Sequence, residues 1–275
     1  MKRSGLIAYY GLIFGYAWGV GLAFAVFNPW MVRTFGPVSL WNPLVFLTIW
    51  CSTIFAFVIA LLFDGVAGLR DLLARIFRWR FPLRWYVIST VGIAALALGA
   101  RFVQASVSKT PPPPVLDFSL WPALAWYGLS MFIIDPGPLG EDPGWRGFAL
   151  PRMLNEFNPA LAAVLLGVIW TTWHLPAFLF SGMPQSSLPL GWFIVAMISL
   201  TVLMSWASIN TKGAVIPAIL MHWSFNRFSD LSHAGAFYAA MAYLLAAMAV
   251  IVITRGTLGR KPAVRPSPLM PAAVA

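Results

Sequence analysis

PALAAVLLGVIWTTWHLPAFLF, residues 159–180, is a run of 22 residues whose only ionisable side chain is His174. About 20 consecutive apolar residues carry a helix across the roughly 30 Å hydrocarbon core of a bilayer, so this run reads as a membrane span. The rest of the chain agrees with it. Hydrophobic residues make up 60% of the 275 and charged residues 9%, against roughly 25% charged in soluble domains, and the mean hydropathy is +0.80. Eight such runs can be marked, near 6–27, 40–63, 85–103, 120–134, 159–180, 188–209, 213–229 and 236–253. The pattern predicts an all-α membrane protein, a polytopic bundle of about eight transmembrane helices. The runs at 120–134 and 213–229 are short. Short or Gly/Pro-interrupted spans often mark helix broken around a cavity, and an intramembrane cavity is expected beside them.

The net charge of +10 would suit nucleic acid only if it formed a basic face on a soluble domain, and no such domain can be marked. It is explained by topology. With the N-terminus in the cytoplasm, fourteen of the eighteen Lys and Arg residues fall on the cytoplasmic side, leaving Arg33, Arg101, Lys109 and Arg227 on the other. That asymmetry is what the positive-inside rule demands, and it puts both termini in the cytoplasm of a bacterial inner membrane. Lys2 and Arg3 followed by Ala23-Phe24-Ala25 raise the alternative of a cleaved signal peptide, but the first run has the length of a full span. Leu69, Leu72, Leu73, Ile76 and Phe77 alternate with arginines at helical spacing and predict an amphipathic helix on the inner surface. Cys51, the single cysteine, lies among apolar neighbours and reads as packing. Four parts are expected: membrane helices with a basic loop over 1–117, a core over 118–232, a final helix over 233–260 and a disordered tail over 261–275.

Against this background the ionisable residues inside apolar sequence stand out. A charge at the bilayer centre costs roughly 2.5 to 3.5 kcal/mol on insertion scales, so it is a functional candidate. Peptide hydrolysis needs a base for water, an acid for the leaving amine and donors for the oxyanion. Glu141 can serve as base. His174 and His222 can orient water or move protons, and Asn226, one helical turn after His222, carries an amide that can donate to an oxyanion. Asp142-Pro143 reads as an N-cap with Pro at the first helical position, after a helix break at Pro138-Leu139-Gly140. Arg146, four residues on, can pair with Asp142, so these two are supporting residues.

Three segments now fall into order: Gly137 to Gly147 with Glu141-Asp142-x-x-x-Arg146, Trp170-x-x-x-His174, and His222-x-x-x-Asn226. They resemble the motifs of the CPBP family of intramembrane proteases, which includes the eukaryotic CAAX prenyl endopeptidase and bacterial members linked to bacteriocin processing or immunity. The resemblance implies that Glu141 activates water, His174 and His222 assist, and Asn226 stabilises the oxyanion. Its partners would be a peptide or protein substrate at the membrane and the lipid bilayer. Asp142 departs from the family's second Glu by one methylene, and Trp170 stands where many members have Phe.

Other readings remain open on the residues alone. The acid pair can be a solvated cap, His174 a packing residue among interfacial tryptophans, and His222 with Asn226 an interhelical hydrogen-bonding pair. A zinc site from Glu141, His174 and His222 is the chemical alternative to a cofactor-free site, although the His-Glu-x-x-His helix that presents zinc ligands is absent. A non-catalytic scaffold or immunity protein, or a proton-coupled transporter, would use the same residues differently. One geometric requirement follows. His174 lies 15 residues beyond Pro159, about 22 Å along a helix, so Glu141 meets it only if the segment 135–158 folds back into the bundle, where it would line a cavity expected to open to the cytoplasm.

Overall fold

The computed structural model describes residues 3–109, 122, 125, 126, 135–232 and 234–260. Most of the expected span at 120–134, the prolines at 111–114, His233 and the tail from 261 lie outside them. All regular elements in the described residues are helical. They are α1 (Arg3–Val26), the short α2 (Asn28–Phe35), α3 (Pro43–Ile76), α4 (Leu83–Ser108, with a π turn at Ile88–Gly92), α5 (136–153), α6 (Pro159–Trp173, prolonged by a 3-10 turn at Leu175–Leu179), α7 (Leu190–Asn210), α8 (Ile216–Ser232) and α9 (Ala236–Ile253).

The chain is an all-α, polytopic integral membrane protein. Among the described residues six helices are long and apolar enough to cross a bilayer: α1, α3, α4, α6 with its 3-10 turn, α7 and α9. The count of eight read from the sequence is therefore not reproduced. The run at 213–229 becomes α8, 17 residues that carry His222, Asn226, Arg227 and Asp230 and so lie outside the six. The predicted amphipathic helix is the end of α3, set off by Gly65 at φ 67°, a left-handed backbone that favours glycine. Its Leu72 is buried under α5.

Helix starts share one device. Asn42 caps α3 by accepting from the amides of Leu44 and Val45 at 3.0 and 3.4 Å, Asp135 caps α5 through Gly137 N at 3.0 Å, and Asn158 caps α6 through Leu161 N at 2.9 Å. Each is followed by Pro at the first helical position, where the missing N–H costs nothing. The same logic applied to Asp142-Pro143 fails. That pair lies inside α5, which runs on from Pro136–Asp142 through a π-helical stretch, Pro143–Ala149, to Leu150–Met153.

The cost of an internal proline is met from outside the helix. Pro143 cannot donate to the carbonyl of Leu139, and that oxygen instead accepts from Thr53 Oγ1 of α3 at 3.4 Å. Ser52 Oγ, one residue earlier, donates to the carbonyls of Gly140 and Glu141 at 3.1 and 2.9 Å. In a membrane such neighbouring hydroxyls are what makes a distorted helix tolerable. The approach is close because α5 turns glycines toward α3. A Cβ on Gly140 would lie 3.1 Å from the Ile49 carbonyl oxygen, and one on Gly144 2.4 Å from that of Ser52. Small residues four apart are the usual means of such a seam.

Thus α5 occupies the middle of the bundle. Trp145, Arg146, Phe148 and Ala149 are buried in it, with Tyr9 of α1 against Phe148 and Trp145 at ring separations of 4.9 and 6.1 Å. Its far end is pinned where Arg152 pairs with Asp64 beside the Gly65 kink and where Arg260 donates to the Leu154 carbonyl.

Candidate active site

The fold-back that the sequence required is present. Glu141 and Asp142 end the first part of α5, inside the bundle, and meet α6, α7 and α8 there. Glu141 Oε2 accepts from the indole Nε1 of Trp170 at 2.7 Å and lies 3.9 Å from His174 Nε2. His174 presents that nitrogen because its Nδ1 is 2.8 Å from the Trp170 carbonyl. A carbonyl only accepts, so Nδ1 carries the hydrogen, and in the neutral ring Nε2 is a bare lone pair aimed at the carboxylate.

Asp142 turns the other way. Its Oδ1 takes a hydrogen bond from Arg146 Nη1 at 2.9 Å and its Oδ2 lies 3.2 Å from His222 Nδ1. Arg146 also donates to Thr201 Oγ1 of α7 at 3.2 Å, and its guanidinium lies 4.0 Å from the centre of the Trp170 ring. The side chains of Asp142 and Arg146 are fully buried. The expected pair therefore exists, but as an ion pair in the core, so Arg146 does not belong to the exposed charge of the arginine-rich side. Leaving either partner alone in such a place costs about 3 to 5 kcal/mol.

Asn226 is placed differently from the expectation. Its Nδ2 donates to Asp135 Oδ2 at 3.0 Å, an oxygen it shares with Arg227 Nη2 at 3.1 Å. One of its two amide hydrogens is therefore committed to the residue that caps α5. Asp135 thus joins the third motif to the first, and Gly137 sits between the two groups. A methyl group on Gly137 would lie 3.2 Å from Asp135 Oδ1, 3.6 Å from Glu141 Oε1 and 3.6 Å from His222 Cε1. The missing side chain leaves a small space bordered by the acid, the histidine and the cap.

The site is nearly closed. Glu141, His222 and His174 keep 6%, 7% and 10% of their side-chain surface. Toward Arg152 the helix is solidly packed, since Trp145, Phe148 and Leu150 are buried. Exposure rises the other way, to 11% at Asp135 and 12% at Arg227. The cavity was expected to open on the arginine-rich side; among the described residues the aromatic side chains of α5 fill that end.

Residues 118–228 match the Rce1-like family of type II CAAX prenyl endopeptidases. All three motifs lie within this Rce1-like segment, and the resemblance read from them stands. CAAX prenyl protease 2 of Methanococcus maripaludis is 25% identical over 107 residues, 37% of this chain. The match spans 40% of that relative's length.

Within the Rce1-like segment, sequence reading named Glu141, Asp142, Arg146, His174, His222 and Asn226, and the structure brings the first five into one connected cluster with Asn226 at its edge. It gave no role to Asp135 or Gly137 and took Trp170 as the aromatic position of the second motif without assigning it a partner. Asp135-Pro136 was the available signal for a helix start. As for zinc, no group of three His, Cys, Asp or Glu side chains converges on a metal-sized point among the described residues. Both histidines direct Nδ1 to a protein acceptor and leave Nε2 open, the orientation a metal-ligating histidine also takes, so Glu141, His174 and His222 are the residues that would hold a zinc ion if one were bound.

Proposed function

We propose that this chain is an intramembrane endopeptidase of the CAAX protease type, hydrolysing a peptide bond by a water that Glu141 activates. The observation that carries the reading is the 3.9 Å gap between Glu141 Oε2 and His174 Nε2. It is too long for a hydrogen bond and suited to one water donating to both at about 2.8 Å. In that position the water directs its oxygen lone pairs away from both acceptors, toward an incoming carbonyl carbon.

Glu141 takes one proton as the water's oxygen attacks. The carbonyl oxygen becomes an oxyanion, held by the Nε2–H of His222 in its imidazolium form, whose Nδ1–H Asp142 accepts, and by the second amide hydrogen of Asn226. Collapse of the tetrahedral adduct breaks the C–N bond, and Glu141 returns its proton to the leaving amine. The space over Gly137 admits the substrate backbone beside Glu141 and His222. In this reading the site works without metal, which the chelator arm of the experiment tests. The substrate is a peptide or protein segment at the membrane, and whether it carries a prenyl group is left to experiment. The arginine distribution supports a bacterial inner-membrane location with both termini in the cytoplasm.

Purified protein in detergent, offered a peptide library with and without farnesylated CAAX members, tests this. Glu141→Gln and His222→Ala are each expected to lower cleavage by roughly 10²- to 10⁴-fold, the usual worth of an acid–base group, with no effect of chelator on the wild type. Cleavage lost on chelation and restored by zinc would replace the metal-free site with a metal centre. Full cleavage by Glu141→Gln would remove Glu141 as the base, whereas retained biological activity of Glu141→Gln in cells, with no cleavage by the wild type, would favour a binding-only protein.

A further inference from the structure

Trp170 does something that no apolar aromatic residue in its place could do. It is completely buried, and its single donor, Nε1–H, is spent on Glu141 Oε2 at 2.7 Å. This is not the general fate of indoles in the molecule, for the N–H groups of Trp85 and Trp145, also buried, meet no protein acceptor. The ring is held from three sides. The Arg146 guanidinium lies over it at 4.0 Å, His222 meets it edge-on at 5.2 Å and His174 at 5.4 Å. A cation over the face of an indole draws electron density from the ring and makes its N–H a stronger donor. The backbone carbonyl of the same residue fixes the His174 tautomer.

We infer that Trp170 is a positioning residue for Glu141: its N–H, sharpened by Arg146, grips one carboxylate oxygen and fixes the orientation in which the other faces the space over Gly137. The inference rests on Glu141 being the base. It also gives the buried Asp142–Arg146 pair a second task, since the charge over the ring persists only while Asp142 balances it.

Two replacements separate the hydrogen bond from packing. Benzothienylalanine at position 170, introduced by codon expansion, keeps the shape of the indole and replaces N–H by sulfur, and Trp170→Phe keeps only a smaller ring. Both are expected to reduce kcat by roughly 10- to 100-fold, the worth of one hydrogen bond to a charged group, with KM unchanged. The benzothienylalanine protein should also melt like the wild type. A readout free of turnover is modification of Glu141 by dicyclohexylcarbodiimide, which reacts with the protonated acid. Losing a donor makes a carboxylate hold its proton more firmly, so labelling at pH 8 should rise several-fold in both variants. Wild-type kcat and labelling in the benzothienylalanine protein would overturn the inference, whatever Trp170→Phe does. If the wild type cleaves no peptide but labelling still rises, the protease reading fails and the positioning contact stands. If Glu141→Gln abolishes cleavage while neither Trp170 variant changes kcat or labelling, the contact is incidental and the protease reading stands.

Discussion

Glu141, His174 and His222 were legible because ionisable groups in apolar sequence have few reasons to be there. Gly137 was not, since its contribution is an absence. The methyl group of Gly137→Ala would stand 3.6 Å from both Glu141 Oε1 and His222 Cε1, ordinary contact, and 3.2 Å from Asp135 Oδ1, which must give way slightly; the fold is expected to absorb that shift, and the substrate backbone is not. The substitution is expected to abolish cleavage while leaving the melting temperature in detergent within a degree or so of the wild type. A variant that keeps full activity would show that substrate approaches elsewhere. Asp135 and Trp170 were illegible for another reason. The partner of an indole N–H or a capping carboxylate lies 29 residues away in one case and 91 in the other, and nothing in the local sequence names it.

At the level of helices, sequence reasoning located most of the spans from hydrophobic length alone but misjudged α5, whose nature depends on a neighbour. Asp142-Pro143 carries the same start signal as the pairs at 42–43, 135–136 and 158–159. It becomes helix interior because Ser52 and Thr53 of α3 supply the donors that proline removes. That contact in turn depends on the glycine seam. In Gly144→Ala the new Cβ would lie 2.4 Å from the Ser52 carbonyl oxygen, a clash with backbone that only separation of α5 from α3 relieves. The expected cost is about 1 to 3 kcal/mol or more, seen as a melting temperature lowered by several degrees together with lost activity. This is the opposite pattern to that of Gly137→Ala, seven residues away on the same helix. Unchanged melting of Gly144→Ala would mean that the seam contributes little.

The whole molecule adds depth to this local picture. Arg152, Arg260 and the 154–158 turn gather at the arginine-rich end, and His174 lies about 22 Å along α6 from there, beyond the midplane of a 30 Å core. With Trp145 and Phe148 closing the near side, access of water is predicted from the Asp135 end. A charged, membrane-impermeant thiol reagent is accordingly expected to label Glu141→Cys from the face opposite the arginines and not from the arginine-rich face. Buried Cys51 should contribute little background. Labelling from the arginine-rich face alone would reverse the assignment, and labelling from neither would deny water a path. The arginine count predicts an orientation, whereas the tight packing of the arginine-rich end was hidden until the aromatic residues of α5 were placed.

The ion pair at the centre has a consequence for how the protein is made. Asp142 and Arg146 neutralise each other within a single helical turn, so α5 can leave the translocation machinery as soon as it emerges, with no later segment needed to balance its charges. His222 follows Asp142 by 80 residues, about 4 to 16 s of synthesis at 5 to 20 residues per second. Throughout that interval the nascent chain holds its acid without the histidine that joins it, so the acid–histidine cluster assembles only after most of the chain's own unfolded length has passed into the membrane.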